Sequence, residues 1–159
     1  MTKQKNGFIL IETVLYIGLL SMLVGGLLLA SYNVMDSSDA TRKRIIVNNE
    51  SNFILKKINW AITSVDVIHI PASGATATSL SISKVGLPAS ENPVIFQLNA
   101  SILEMKRGMN PSVRLNSENV SIADLAFYHV PSIGLRPAAI EVSFLANNIP
   151  FQMKKYLRK

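Results

Sequence analysis

From Phe8 to Ala30 the chain is apolar in character, with Glu12 its single charged position, and these 23 residues predict a helix. At about 1.5 Å per residue the helix is roughly 35 Å long, enough for a hydrocarbon layer of about 30 Å. A short basic leader with Lys3 and Lys5, ending in Gly7, precedes it. Beyond Ala30 no proline occurs before Pro71, and apolar residues continue at helical spacing: Val34, Met35, Ile45, Ile46, Phe53, Ile54, Ile58, Ala61, Ile62 and Val65. Ile54, Ile58 and Ile62, with Ala61 and Val65 beside them, form an i, i+4 stripe that Lys56, Lys57 and Asn59 avoid. The pattern predicts one helix from Phe8 to about Ser64, roughly 85 Å long, whose second half turns one face to a core.

After Val65 the period changes from helical to alternating. Ser79 to Ser83 alternates, as do Val94, Phe96 and Leu98, then Leu103 and Met105. Val120 and Ile122 are followed by a slip of phase to Leu125 and Phe127, which predicts a bulge near Ala123-Asp124. Ile140, Val142 and Phe144 oppose Glu141 and Ser143; across a tight turn at Asn147-Asn148, Ile149, Phe151 and Met153 alternate with Gln152 and Lys154. Loops are predicted at Ser73-Gly74, Gly86 to Pro93, Gly108 to Pro111 and Pro131 to Pro137. Short strands with brief connections imply an antiparallel sheet with one apolar face, which the amphipathic half-helix covers. The fold class is α+β. It divides into a leader at 1–7, a membrane-spanning half-helix at 8–30, an amphipathic half-helix at 31–65 and a β-rich head at 66–159.

Glu12 is the unusual residue of the first stretch. A bare acid near the centre of a bilayer costs on the order of 2.5 to 3.5 kcal/mol, and less near its edge, so it calls for a partner. A cut between Gly7 and Phe8 would create one: the new α-amino group lies four residues from Glu12, on the same helical face. The two can neutralise each other within one chain or between staggered chains. An uncleaved anchor with an incidental edge glutamate is the alternative. A secretory signal peptide fits less well, since the apolar core is too long and Leu28-Leu29-Ala30 is no Ala-x-Ala site.

The run Lys5-Asn6-Gly7-Phe8-Ile9-Leu10-Ile11-Glu12 resembles the class III leader of type IV pilins and of type II secretion pseudopilins. The resemblance implies that a prepilin peptidase cuts after Gly7 and methylates Phe8, and that Glu12 is the assembly glutamate. Ile9 departs from the family's usual threonine, and Leu29 stands where many pilin helices carry a proline. Gly18, Gly25 and Gly26 are therefore where the helix could loosen, although close helix packing explains them equally well. In the head, Leu115 to Val120, Leu125 to Tyr128 and Pro137 to Val142 resemble loosely the heads of J-type minor pseudopilins and related minor pilins. The implied fold is pilin-like. The implied function is a minor subunit processed by the peptidase and incorporated into, or initiating, a pilus or pseudopilus with other such subunits. Its implied place is the cytoplasmic membrane, with the head outside and the leader inside; Lys3 and Lys5 against Arg42, Lys43 and Arg44 leave the positive-inside comparison nearly tied.

Composition narrows this further. The chain has 159 residues and no cysteine, so disulfides, thiol chemistry, cysteine zinc sites and lipid acylation fall away. The same absence leans away from major pilins closed by a disulfide. Net charge is +6; without Lys3 and Lys5, 14 basic against 10 acidic side chains leave +4. His69 and His129 are the only histidines, neither has a second ligand at zinc spacing, and no nucleophile, phosphate-loop or metalloprotease motif occurs. No enzyme, metal or cofactor is expected. Two basic clusters remain as candidate anionic contacts, Arg42-Lys43-Arg44 and Lys154, Lys155, Arg158 and Lys159. They read as solvated surface, as attraction to lipid headgroups, or as phosphate contacts of a DNA-binding minor pilin in an uptake machine. Little aromatic interleaving accompanies them, which weighs against nucleic acid.

Overall fold

The structure, a computed structural model, describes residues 6–157, with backbone alone for residues 6–9, 36, 37 and 40. The leader residues 1–5, Arg158 and Lys159 lie outside the described residues. The fold is α+β. Helix α1 (Asn6–Ile62) is followed by nine strands: β1 (Val65–Ile70), β2 (Thr76–Ala77), β3 (Leu80–Lys84), β4 (Val94–Asn99), β5 (Ile102–Arg107), β6 (Val113–Arg114), β7 (Ile122–Val130), β8 (Ala139–Ala146) and β9 (Ile149–Tyr156). The chain divides into two compact units, Met1–Arg44 and Ile45–Lys159, and α1 contributes to both.

The helix stops slightly earlier than its periodicity suggested. Ser64 takes a left-handed φ of 62°, and Val65, expected at the end of the helical stripe, opens β1 instead. The Lys84 ammonium explains how the end is held: it donates to the carbonyls of Trp60 and Thr63. Those carbonyls have no partner within the helix, and a cation there also meets the negative end of the helix dipole.

In the first unit, Leu10–Met35 is a 26-residue stretch of mean hydropathy 2.2, none of it buried. Its hydroxyls turn back on the helix. Ser21 Oγ donates to the Ile17 carbonyl at 2.7 Å and Ser31 Oγ to the Leu27 carbonyl at 2.9 Å, so these polar groups need no water.

The second unit has two antiparallel sheets where the alternation suggested one. The first has the order β1-β3-β4-β5-β6 and the second β2-β7-β8-β9. Alternation marks which face of a strand is apolar but not which strand it pairs with, and β2 crosses to pair with β7 (Ala77 opposite Phe127). The predicted irregularities fall in place. The β7–β8 register shifts between Ala123 and Ala126, with Asp124 at φ 51°, and this bulge turns both Ile122 and Leu125 inward. Asn147 and Asn148, at φ 47° and 65°, form the two-residue turn between β8 and β9. Gly108 (φ 51°) is required as well, because a Cβ there would collide with the Ser90 carbonyl.

One core joins the three elements. Ile54, Ile58, Ala61 and Ile62 of α1 meet Leu80, Ile82, Val94, Phe96 and Leu103 of the first sheet and Ile122, Phe127, Ile140, Val142 and Phe144 of the second. The helical stripe reaches back further than the isoleucine spacing indicated, to Val47 and Ser51, both buried. Phe144 and Phe151 stack across β8 and β9 with ring centroids 5.7 Å apart.

Candidate functional site

Glu12 sits in the first turns of α1, where its near neighbours in sequence are apolar apart from Thr13 and the hydroxyl of Tyr16. Its carboxylate accepts a hydrogen bond from the Tyr16 hydroxyl at 3.2 Å. Tyrosine at i+4 is the neighbour that helical geometry provides, and it satisfies one carboxylate lone pair without neutralising the charge. Gly7 and Phe8 fall within the helical backbone, so Phe8 stands one turn before Glu12. Around them Leu10, Ile11, Leu15, Leu19 and Leu23 are all more than half exposed. Among the described residues, nothing beyond the helix's own backbone would lie within 4 Å of a Cβ at Gly18, Gly25 or Gly26. By length and composition this helix could span a membrane.

The two basic clusters belong to different units. Arg42, Lys43 and Arg44 are exposed on α1, and among the described residues no salt bridge involves them. In the second cluster Lys154 is already committed. It pairs with Glu141 at 2.7 Å and lies over the Tyr156 ring at 5.6 Å, and the hydrogen bond to Glu141 raises its pKa above the ordinary lysine value of 10.5. Lys155 is half-buried on β9 opposite Ile140; Arg158 and Lys159 are not described. The charge that β9 offers to a polyanion is therefore smaller than the sequence count. Each histidine has an ordinary partner: His69 Nε2 shares a hydrogen bond with Ser83 Oγ at 2.9 Å, and His129 Nδ1 donates to the Pro71 carbonyl at 3.2 Å.

Of the polar residues that organise the head, the sequence marked Asn147 as a turn and Asn116 within a family-like segment, but gave neither its bonds and did not mark Glu50. Glu50 on α1 accepts from both the backbone N–H and the hydroxyl of Ser117, at 2.9 and 2.7 Å. Asn116, buried, accepts from the Leu103 N–H at 2.7 Å and donates to the carbonyls of Val120 and Ser101 at 2.6 and 3.1 Å. Asn147 accepts from the Ser121 N–H at 2.8 Å and donates to the Asn119 carbonyl at 3.1 Å. The signal for Asn116 was its place in the Leu115 to Val120 segment, which carried a resemblance but no bonding role. Nothing local marked Glu50, whose partner lies 67 residues away.

Comparison of the chain with protein-family models, with curated proteins and with solved structures finds no match.

Proposed function

We propose that the chain is a minor pilin-like structural subunit. In this reading a prepilin peptidase cleaves it after Gly7 and methylates Phe8, and it is then incorporated into, or initiates, a type IV pilus or type II secretion pseudopilus. It lies in the cytoplasmic membrane as a single-pass protein before assembly, with its head on the far side. One observation carries the reading: Leu10–Met35 exposes an apolar surface that the chain itself leaves bare, and a single acid, Glu12, interrupts the start of that surface. A surface that is covered first by lipid and later by sister helices needs no burial within the monomer. An acid that waits for an N-terminal ammonium needs no basic side chain in its own turn.

The test has two parts. Glu12→Gln should leave insertion and cleavage intact and lower recovery in filaments about tenfold or more, as loss of a low-dielectric ion pair would; equal recovery removes the register role of Glu12. The N-terminus of native material, read by mass spectrometry, should be N-methylated Phe8. A chain that begins at Met1 would make the protein an uncleaved single-span anchored domain.

A further inference from the structure

The part of α1 that builds the head core carries a second apolar row on its outer side. Ile46, Phe53 and Trp60 follow one another at intervals of seven residues and are 43%, 44% and 38% exposed. At 3.6 residues per turn, a spacing of seven keeps them in one nearly straight line, roughly 21 Å from end to end. They are not the stripe that packs inward: Val47, Ser51, Ile54, Ile58 and Ala61 are all buried on the other side of the same helix. The core does not use them.

The surroundings of this row are basic. Lys57 Nζ lies 5.3 Å from the centre of the Phe53 ring, and Lys84 Nζ 5.1 Å from that of Trp60. Lys56, exposed, is three residues beyond Phe53 and four before Trp60, between them on the same side. From Ile45 to Ile62 the one acid is Glu50, and both its oxygens are engaged by Ser117. Among the described residues none of these three ammonium groups is paired with a carboxylate, although Lys84 donates to the helix-end carbonyls, and apolar anchors in line within a basic rim specify the chemistry of what would cover them.

We propose that this row is a docking surface for an amphipathic helix of a different protein, flanked by acidic residues. Three features select that occupant. The interval of seven sets one anchor every two turns along the axis, a spacing that a facing helix packed at a shallow angle can follow, whereas a strand rises too fast per residue. The large rings offer the kind of anchor that dominates interfaces. The lysines call for carboxylates at the rim, which excludes two copies of this chain packed face to face, since each would set Lys56, Lys57 and Lys84 against their own likeness. The proposal needs neither cleavage after Gly7 nor any role of Glu12, so it can fail while the filament reading stands, and the reverse.

Trp60 is the only tryptophan in the chain, so its emission reports on this surface alone. The probe is a synthetic helix of about three heptads, with leucine at the seam and glutamate on both flanks. It is added to the full chain held in nanodiscs of zwitterionic lipid. The expected result is a saturable blue shift of Trp60 emission with protection from acrylamide, weakened by salt. Phe53→Ala and Ile46→Ala should each weaken binding about tenfold with thermal unfolding of the head unchanged. No shift with the glutamate helix, or an equal shift with a lysine-flanked one, overturns the proposal. So does a shift produced by concentrating the protein alone, which would make a second copy the occupant. A shift produced only by vesicles of anionic lipid would replace the helix with a membrane surface.

Discussion

Residues 10–35 and 45–62 belong to one helix and are stabilised in opposite ways. In the first stretch leucine, isoleucine and valine occupy every side, and all remain exposed to whatever surrounds the chain. In the second, apolar residues concentrate on one side, where Ile54, Ile58 and Ala61 reach complete burial against two sheets. Helical hydrogen bonding is the same in both, so the backbone does not distinguish them. The distribution of side chains around the axis does: an all-round apolar helix seeks a solvent or a bundle, and a one-sided helix seeks a core. The head therefore has an apolar core of its own, whereas the described residues of the first stretch have none.

Substitution at the two ends of this contrast should separate them most widely. Phe127→Ala, in the centre of the core, is expected to destabilise the head by about 3–5 kcal/mol, measured as the urea midpoint of Trp60 emission. Leu20→Ala, equally apolar but exposed, should leave the unfolding free energy of the head unchanged to within about 0.5 kcal/mol. A shift of the same size at Leu20 would mean that the two stretches share a folding unit. Asn116→Ala should cost about 2–3 kcal/mol, because it strands the Leu103 N–H and the Val120 carbonyl in the interior. The smallest change runs the other way. Ser51 is buried and among the described residues its hydroxyl has no hydrogen-bond partner, so Ser51→Ala should stabilise the head by about 1 kcal/mol, read as a higher urea midpoint.

What could be read in the sequence was what repeats or turns locally. The isoleucine stripe at 54, 58 and 62, the slip of phase before Leu125 and the Asn147-Asn148 turn each leave a signature within a few residues, and each is present in the fold. Pairing is not local. The division into two sheets depends on β2 leaving its neighbours in sequence for β7, and a two-residue strand has no alternation to reveal it. β1 was hidden for a related reason. Its register shifts twice against β3, between Val65 and Val67 and between Ile68 and Ile70, so it does not keep a strict two-residue period. At the candidate site, Glu12 stood out because charge is rare in such a run, while Tyr16 beside it did not. In the basic cluster of β9, the pairing of Lys154 with Glu141 was not legible, since that partner comes from the neighbouring strand.

The loop from Leu115 to Ser121 acquires a mechanical meaning from its bonds. It is tied to α1 through Glu50, to the first sheet through Asn116 and Leu103, and to the β8–β9 turn through Ser121 and Asn147. Traction applied along the helix would reach both sheets through this knot, and charge-assisted bonds to Glu50 stand at its entrance. A protein held at one end and loaded at the other would thus share the strain across its whole head before any single strand peeled away.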